Sequence, residues 1–181
     1  RMLIMEGIDA TILEVYLEEE VKLSIGLIGI VLGARTAGHI ISSFAAGYLS
    51  DKFGRRPIII AGMLIESGSL FAYASVSGFE LFILSAFVAG FGEGMVFSSL
   101  IVLLSEVVSA NTRGAAIGLY RTFMDFGGLI GPVLFLFIFN NLGLTSPFLV
   151  AMVILILNAS LVATIRKEKQ PEIQDNVKPL S

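Results

Sequence analysis

Five runs of apolar residues, each about as long as a helix that crosses a bilayer, constrain this chain more than any other feature. They cover residues 24–49, 57–75, 79–105, 115–139 and 147–165. A membrane helix needs about 20 such residues, and lipid offers the backbone no hydrogen-bond partners, so each run must form a helix or join a closed barrel. Barrel strands alternate apolar and polar residues over about ten positions, and these runs do not. The sequence therefore predicts an all-α, polytopic transmembrane helical bundle.

The composition narrows the chemistry that such a bundle could perform. Charged residues make up 15% of the chain, against about 25% in soluble domains. The absence of cysteine excludes disulfides and cysteine-bound metals, and one histidine cannot form a histidine cluster. The phosphate-binding pattern G-x-x-x-x-G-K-[ST] does not occur. We expect a protein of the lipid bilayer with no metal, cofactor, enzyme activity or nucleic-acid partner.

The two ends of the chain differ from the middle. Residues 1–22 are interpreted as the end of a truncated transmembrane helix followed by an extracellular acidic loop, because a short apolar part stops at the acidic residues 18–20. Residues 23–165 form the predicted five-helix bundle. Residues 166–181 are polar and contain two prolines, which predicts a disordered tail.

The distribution of lysine and arginine predicts the orientation in the membrane. These residues lie in the segments 50–56 and 106–114 and in the tail, whereas the segments 75–78 and 140–146 contain none. Cytoplasmic segments carry an excess of lysine and arginine. The pattern predicts a multi-pass protein of the plasma membrane with a cytoplasmic C-terminus.

One predicted cytoplasmic turn, residues 47–57, contains glycines, a proline and an aspartate that a positively charged membrane anchor does not require. Its sequence is GYLSDKFGRRP. Gly54 suits a residue that takes a positive φ in a short turn, Gly47 would let another backbone approach closely, and Pro57 suits the first turn of the next helix. The turn resembles the signature loop of the major facilitator superfamily, G-x-L-x-D-x-x-G-R-[KR]. The matching residues are Gly47, Leu49, Asp51, Gly54, Arg55 and Arg56.

A second pattern, G-x8-G-x3-G-P, is similar to the glycine-proline helix of proton-coupled drug exporters in the same superfamily. Its members are Gly118, Gly127, Gly131 and Pro132, and the last three are expected to bend the helix because proline removes a backbone donor. In those exporters the fourth helix carries an arginine four residues before a glycine. This chain has Ala86 before Gly90, which favours the C-terminal half over the N-terminal half.

The resemblance implies half of a twelve-helix fold, with five full spans plus the end of a sixth, that works by alternating access. The implied partners are the other six-helix half, a small organic solute and a proton, and the implied function is proton-coupled efflux. Two alternatives stay open. One is an uptake permease for a sugar or other metabolite, and the other is a non-transporting half that acts only as a membrane partner.

Charged residues inside the predicted spans are candidates for the transport cavity or for coupling, because each costs about 2.5–3.5 kcal/mol in the membrane centre. They are Arg35, His39, Glu93, Arg121 and Asp125. Arg121 and Asp125 could pair along their own helix, and Glu93 is the expected partner of Arg35 or Arg121. Glu66 has no assigned role.

The signature loop is expected to act as a gating latch. Asp51 would cap a helix N-terminus in the other half, where the helix dipole favours an anion. Arg55 or Arg56 would reach Glu106 at the cytoplasmic end of the third span.

Overall fold

A computed structural model describes residues 2–76 and 78–164, and the predicted tail at residues 166–181 lies outside this range. The first helix, α1, joins an α-helical turn, Met2–Ile4, to a π-helical stretch, Met5–Ile12, and an α-helical end, Leu13–Glu19. The other helices are α2 (Ile25–Phe53), α3 (Arg55–Ser75), α4 (Phe79–Val107), α5 (Arg113–Leu142) and α6 (Ser146–Thr164).

The five predicted spans are confirmed as helices, and α2 to α6 are each long and apolar enough to cross a membrane. The end of α2 and the start of α3 extend further than expected, so that the polar break predicted at residues 50–56 shrinks to a single non-helical residue. That residue is Gly54, with φ of 91°, as its place in a tight turn requires. α1 is helical over most of the segment before Lys22 rather than over a few last turns.

Glycines bring the central helices into backbone contact. α4 packs against α2 on one side and α3 on the other, and α3 also packs against α6. Gly90 of α4 lies directly against the backbone of Arg35 in α2, and a Cβ added to Gly92 would lie only 2.6 Å from the carbonyl oxygen of Gly62 in α3. Small residues permit such close approach in membranes, and they place α4 at the centre of the bundle.

The remaining helix pair, α1 and α5, also meets at glycines. A Cβ added to Gly7 would lie 2.7 Å from the carbonyl group of Gly131. Gly131 therefore provides space for α1, while α5 runs as one helix through Pro132. The bend expected at this step remains a prediction.

Several other glycines have no close neighbour in the described part of the chain. Nothing lies within 4 Å of a Cβ placed at Gly47, Gly29 or Gly33. The close backbone approach expected at Gly47 is thus not made by residues 2–76 or 78–164. These glycines face outward on α2. Only 22% of the most apolar 18-residue stretch of this helix is buried.

Candidate functional site

Three helices each contribute one charged residue to a buried ion cluster. Nη2 of Arg35 in α2 lies 2.6 Å from Oδ2 of Asp9 in α1 and 2.6 Å from Oε2 of Glu93 in α4. Both carboxylate side chains are only 6% exposed. Of the two cations considered for Glu93 from the sequence, the structure brings Arg35 to it.

The glycine contacts explain why these side chains meet. Glu93 lies between Gly92, which packs against α3, and Gly94, which packs against His39 and Ser42 of α2. Gly90, one turn earlier, holds the backbone of Arg35 against α4. α2 and α3 therefore approach α4 at the level of the Glu93 carboxylate.

His39 and Glu66 surround the cluster. His39 is one turn after Arg35 on the same face of α2, and its Nδ1 lies 3.6 Å from Oε2 of Glu93. Glu66 of α3 is 2% exposed, and its Cβ would lie 3.2 Å from a Cβ placed at Gly92, the residue before Glu93. Glu66, which had no role from the sequence, thus faces the interior of the bundle rather than lipid.

The cluster contains more negative than positive charge. Among the contacts of the described residues, two carboxylates, of Asp9 and Glu93, lie against the one guanidinium of Arg35. Within residues 2–76 and 78–164, no group of histidine and acidic side chains is arranged to hold a metal ion.

Arg121 and Asp125 lie outside the buried ion cluster. They are exposed on α5, and in the part of the chain that the structure describes no ion pair joins them. The pairing along one helix that their spacing allowed is therefore not adopted. Instead both line a cleft of about 520 Å³ between α4 and α5.

A second ion network joins the helix ends around Gly54. Nη1 of Arg55 lies 2.6 Å from Oδ1 of Asp51, and Nη2 of Arg55 lies 2.8 Å from Oε1 of Glu106. The structure thus ties the ends of α2, α3 and α4 together through Arg55. Asp51 bonds within its own chain, where the sequence had suggested a helix N-terminus of the other half. The gating role remains a prediction.

Asp9 is a member of the cluster that the sequence did not indicate. The interpretation of residues 1–22 as the end of a truncated helix leaves Asp9 outside the set of intramembrane charges. The available signal was the apolar neighbourhood of Asp9, which lies between the fully buried Ile8 and Ile12. A carboxylate inside such a segment needs a partner.

Comparison with known proteins identifies relatives of this chain. A family model described as Major Facilitator Superfamily matches residues 2–179. The chain is 31% identical over 146 residues to an uncharacterized MFS-type transporter, YqjV, of Bacillus subtilis (strain 168), with 78% of this chain and 34% of the relative covered. It is 28% identical over 126 residues to the quinolone resistance protein NorA of Staphylococcus aureus (strain MRSA252), with 70% and 32% covered. The chain spans about a third of the length of these curated relatives.

Proposed function

Because the chain belongs to the Major Facilitator Superfamily, we propose that it forms the C-terminal half of a secondary transporter of the plasma membrane that exports a small organic solute in exchange for protons. The other six-helix half is the proposed partner. It would cover the outward faces of α2 and α5. In each of these helices only 22% of the most apolar 18-residue stretch is buried.

The observation that carries the proposal is the buried cluster of Asp9, Arg35 and Glu93. Helices α2 and α4 form one closely packed pair, whereas α1 and α5 form another. Arg35 belongs to the first pair and bonds Asp9 of the second. The charge state of the cluster therefore acts on the contact between two groups of helices.

Protonation of Glu93 would change this contact. A neutral carboxyl group no longer forms an ion pair with Arg35, so the attraction between the guanidinium and Glu93 would weaken relative to that between the guanidinium and Asp9. A ligand or proton shifts a conformational equilibrium by its difference in affinity for the two states. Coupling requires that Glu93 binds its proton on one side of the membrane and releases it on the other.

One observation favours export. One relative is named as a quinolone resistance protein, which suggests an aromatic organic compound as the solute.

The test uses inside-out vesicles that contain the complete transporter. With an acidic interior, we expect the pH gradient to drive accumulation of a fluorescent quinolone. Glu93→Gln should abolish this accumulation at normal membrane levels, whereas Glu80→Gln, an exposed acid at the start of the same helix, should not.

Other results of the vesicle experiment would point to a different role for Glu93 or for the whole protein. Normal transport by Glu93→Gln with unchanged pH dependence would remove Glu93 from coupling. Movement of the solute in the same direction as protons would identify an uptake permease. No transport of any solute tested would favour a half that acts only as a membrane partner.

A further inference from the structure

The π-helical stretch of α1, Met5–Ile12, contains Asp9 near its middle. In such a stretch a backbone N–H donates to the carbonyl five residues earlier instead of four, as the N–H of Leu13 does to the carbonyl oxygen of Ile8. π-Helices are rare, occur mostly as single turns and are frequent at functional sites. Here the irregular stretch and one carboxylate of the buried ion cluster coincide.

The burial pattern of α1 shows what the wider turns achieve. Ile4, Ile8, Ile12 and Tyr16 are all buried, at a constant spacing of four residues. In a regular α-helix each step of four residues advances about 40° around the axis, which would carry this row through about 120°. A turn that holds one more residue counters the drift. The π-helical stretch therefore keeps one face of α1 against the core.

Contacts with two other helices fix the rotation of the stretch. A Cβ added to Gly7 would lie 2.7 Å from the carbonyl group of Gly131 in α5. Two residues later, Asp9 reaches Arg35 of α2 at 2.6 Å. A return to regular α-helical bonding would remove one residue from the turn and rotate the residues before it by about 100° relative to those after it. The contacts of Gly7 and Asp9 could not both survive that rotation.

The side chain of Thr11 reinforces the wider turn. Its hydroxyl group donates to the carbonyl oxygen of Glu6, five residues earlier, at 3.3 Å. In α5, by contrast, the hydroxyl group of Thr122 donates to the carbonyl oxygen of Gly118, four residues earlier. The bond of Thr11 thus follows the spacing of the π-helix, and it adds to the backbone bonds that hold this stretch.

We propose that Thr11 is a positioning residue, which acts through the π-helical stretch to hold the carboxylate of Asp9 against Arg35. The ion pair and the wider turn stabilise each other, because each fixes the rotation of α1 that the other needs. The inference rests on the proposed function only in that this ion pair belongs to the cluster assigned to proton coupling.

The experiment is a double-mutant cycle on Thr11 and Asp9 in the purified complete transporter. Unfolding by dodecyl sulfate in mixed micelles is measured without solute and without a pH gradient. Thr11→Val keeps the shape of the side chain and removes the hydroxyl group, and it should raise the equilibrium constant of unfolding by about fivefold. In the Asp9→Asn background the same substitution should change that constant by less than about twofold, because α1 is then free to return to α-helical bonding.

Three further variants serve as controls. Thr11→Ser keeps the hydroxyl group and should unfold as the unaltered protein does, to within about twofold. Thr122→Val removes a hydroxyl group that bonds within an ordinary α-helical turn, so its effect should be the same in both backgrounds. Arg35→Gln removes the other partner of the ion pair and provides a second background, in which Thr11→Val should again have little effect.

Three results would overturn the proposal. They are an unaltered equilibrium constant for Thr11→Val in the otherwise unaltered protein, an equal effect of Thr11→Val with and without the ion pair, and a loss for Thr11→Ser as large as that for Thr11→Val. An equal effect in all backgrounds would assign Thr11 to helix stability alone. Because the cycle uses neither solute nor gradient, its failure leaves the test of proton coupling intact, and failure of coupling leaves the cycle unaffected.

Discussion

The substitution Gly90→Ala tests whether helix packing holds the ion cluster together. Gly90 lies against the backbone of Arg35 in α2, and an added Cβ would overlap the carbonyl oxygen of that residue. Backbone atoms cannot rotate away as the end of a side chain can. α2 must therefore move away from α4 as a unit.

The size of the movement follows from the contact distances. The carbonyl carbon of Arg35 would lie 2.7 Å from the new methyl group and must recede to at least 3.4 Å, where ordinary contact begins. The same movement would stretch the 2.6 Å bond between Arg35 and Glu93. Overpacking of this kind costs about 1–3 kcal/mol, which meets or exceeds the gain of about 1 kcal/mol expected when alanine replaces glycine in a helix.

The assay compares Gly90→Ala with Gly68→Ala in the purified complete transporter. Nothing lies within 4 Å of a Cβ at Gly68, so this control should be as stable as the unaltered protein or more so. Gly90→Ala should lower the midpoint of thermal unfolding and reduce gradient-driven transport. Equal stability and equal transport in both variants would refute the claim that this contact positions Arg35.

Two further predictions concern the signature loop and the orientation. Asp51→Asn and Glu106→Gln should each slow transport by up to about fivefold at normal membrane levels, since partly exposed ion pairs contribute about 0–1 kcal/mol. Asp51 and Glu106 pair with different nitrogens of Arg55, so the double variant should be at least as slow as either single variant, and Lys52→Gln should transport normally. Unaltered rates in both single variants would leave the loop as a positive anchor. A cysteine at position 52 should resist impermeant thiol reagents in intact cells while one at Asn141 reacts, and the reverse pattern would overturn the orientation.

The parts of the fold that were predictable from sequence depend on local physical constraints. Apolar runs of about 20 residues that do not alternate with polar residues form helices in lipid rather than barrel strands, so α2 to α6 were predictable. The positive φ of Gly54 was predictable because a short turn between two helices requires a φ that other residues avoid. The pairing of Glu93 was narrowed to two cations by the cost of a buried charge.

The contacts between helices, and with them the partners of the charged residues, depend on which helix faces meet. A nearly uniform apolar run has no periodicity that shows which face of its helix is buried. Arg121 and Asp125 have spacing that allows an ion pair, but α5 turns both toward a cleft. Asp51 pairs with Arg55, four residues further along the chain. The sequence had instead predicted that Asp51 caps a helix N-terminus of the other half. Asp9 was missed because its segment was not treated as part of the bundle.

The central claim is that binding of the solute is coupled to the protonation of Glu93 in the buried cluster. The most direct test adds a fluorescent quinolone to the purified complete transporter in a weakly buffered solution and records the pH with an indicator dye. We predict that binding releases protons from the unaltered protein and from Glu80→Gln, and that Glu93→Gln binds the compound without releasing any. Binding without proton release by the unaltered protein, or equal release by Glu93→Gln, would contradict the account.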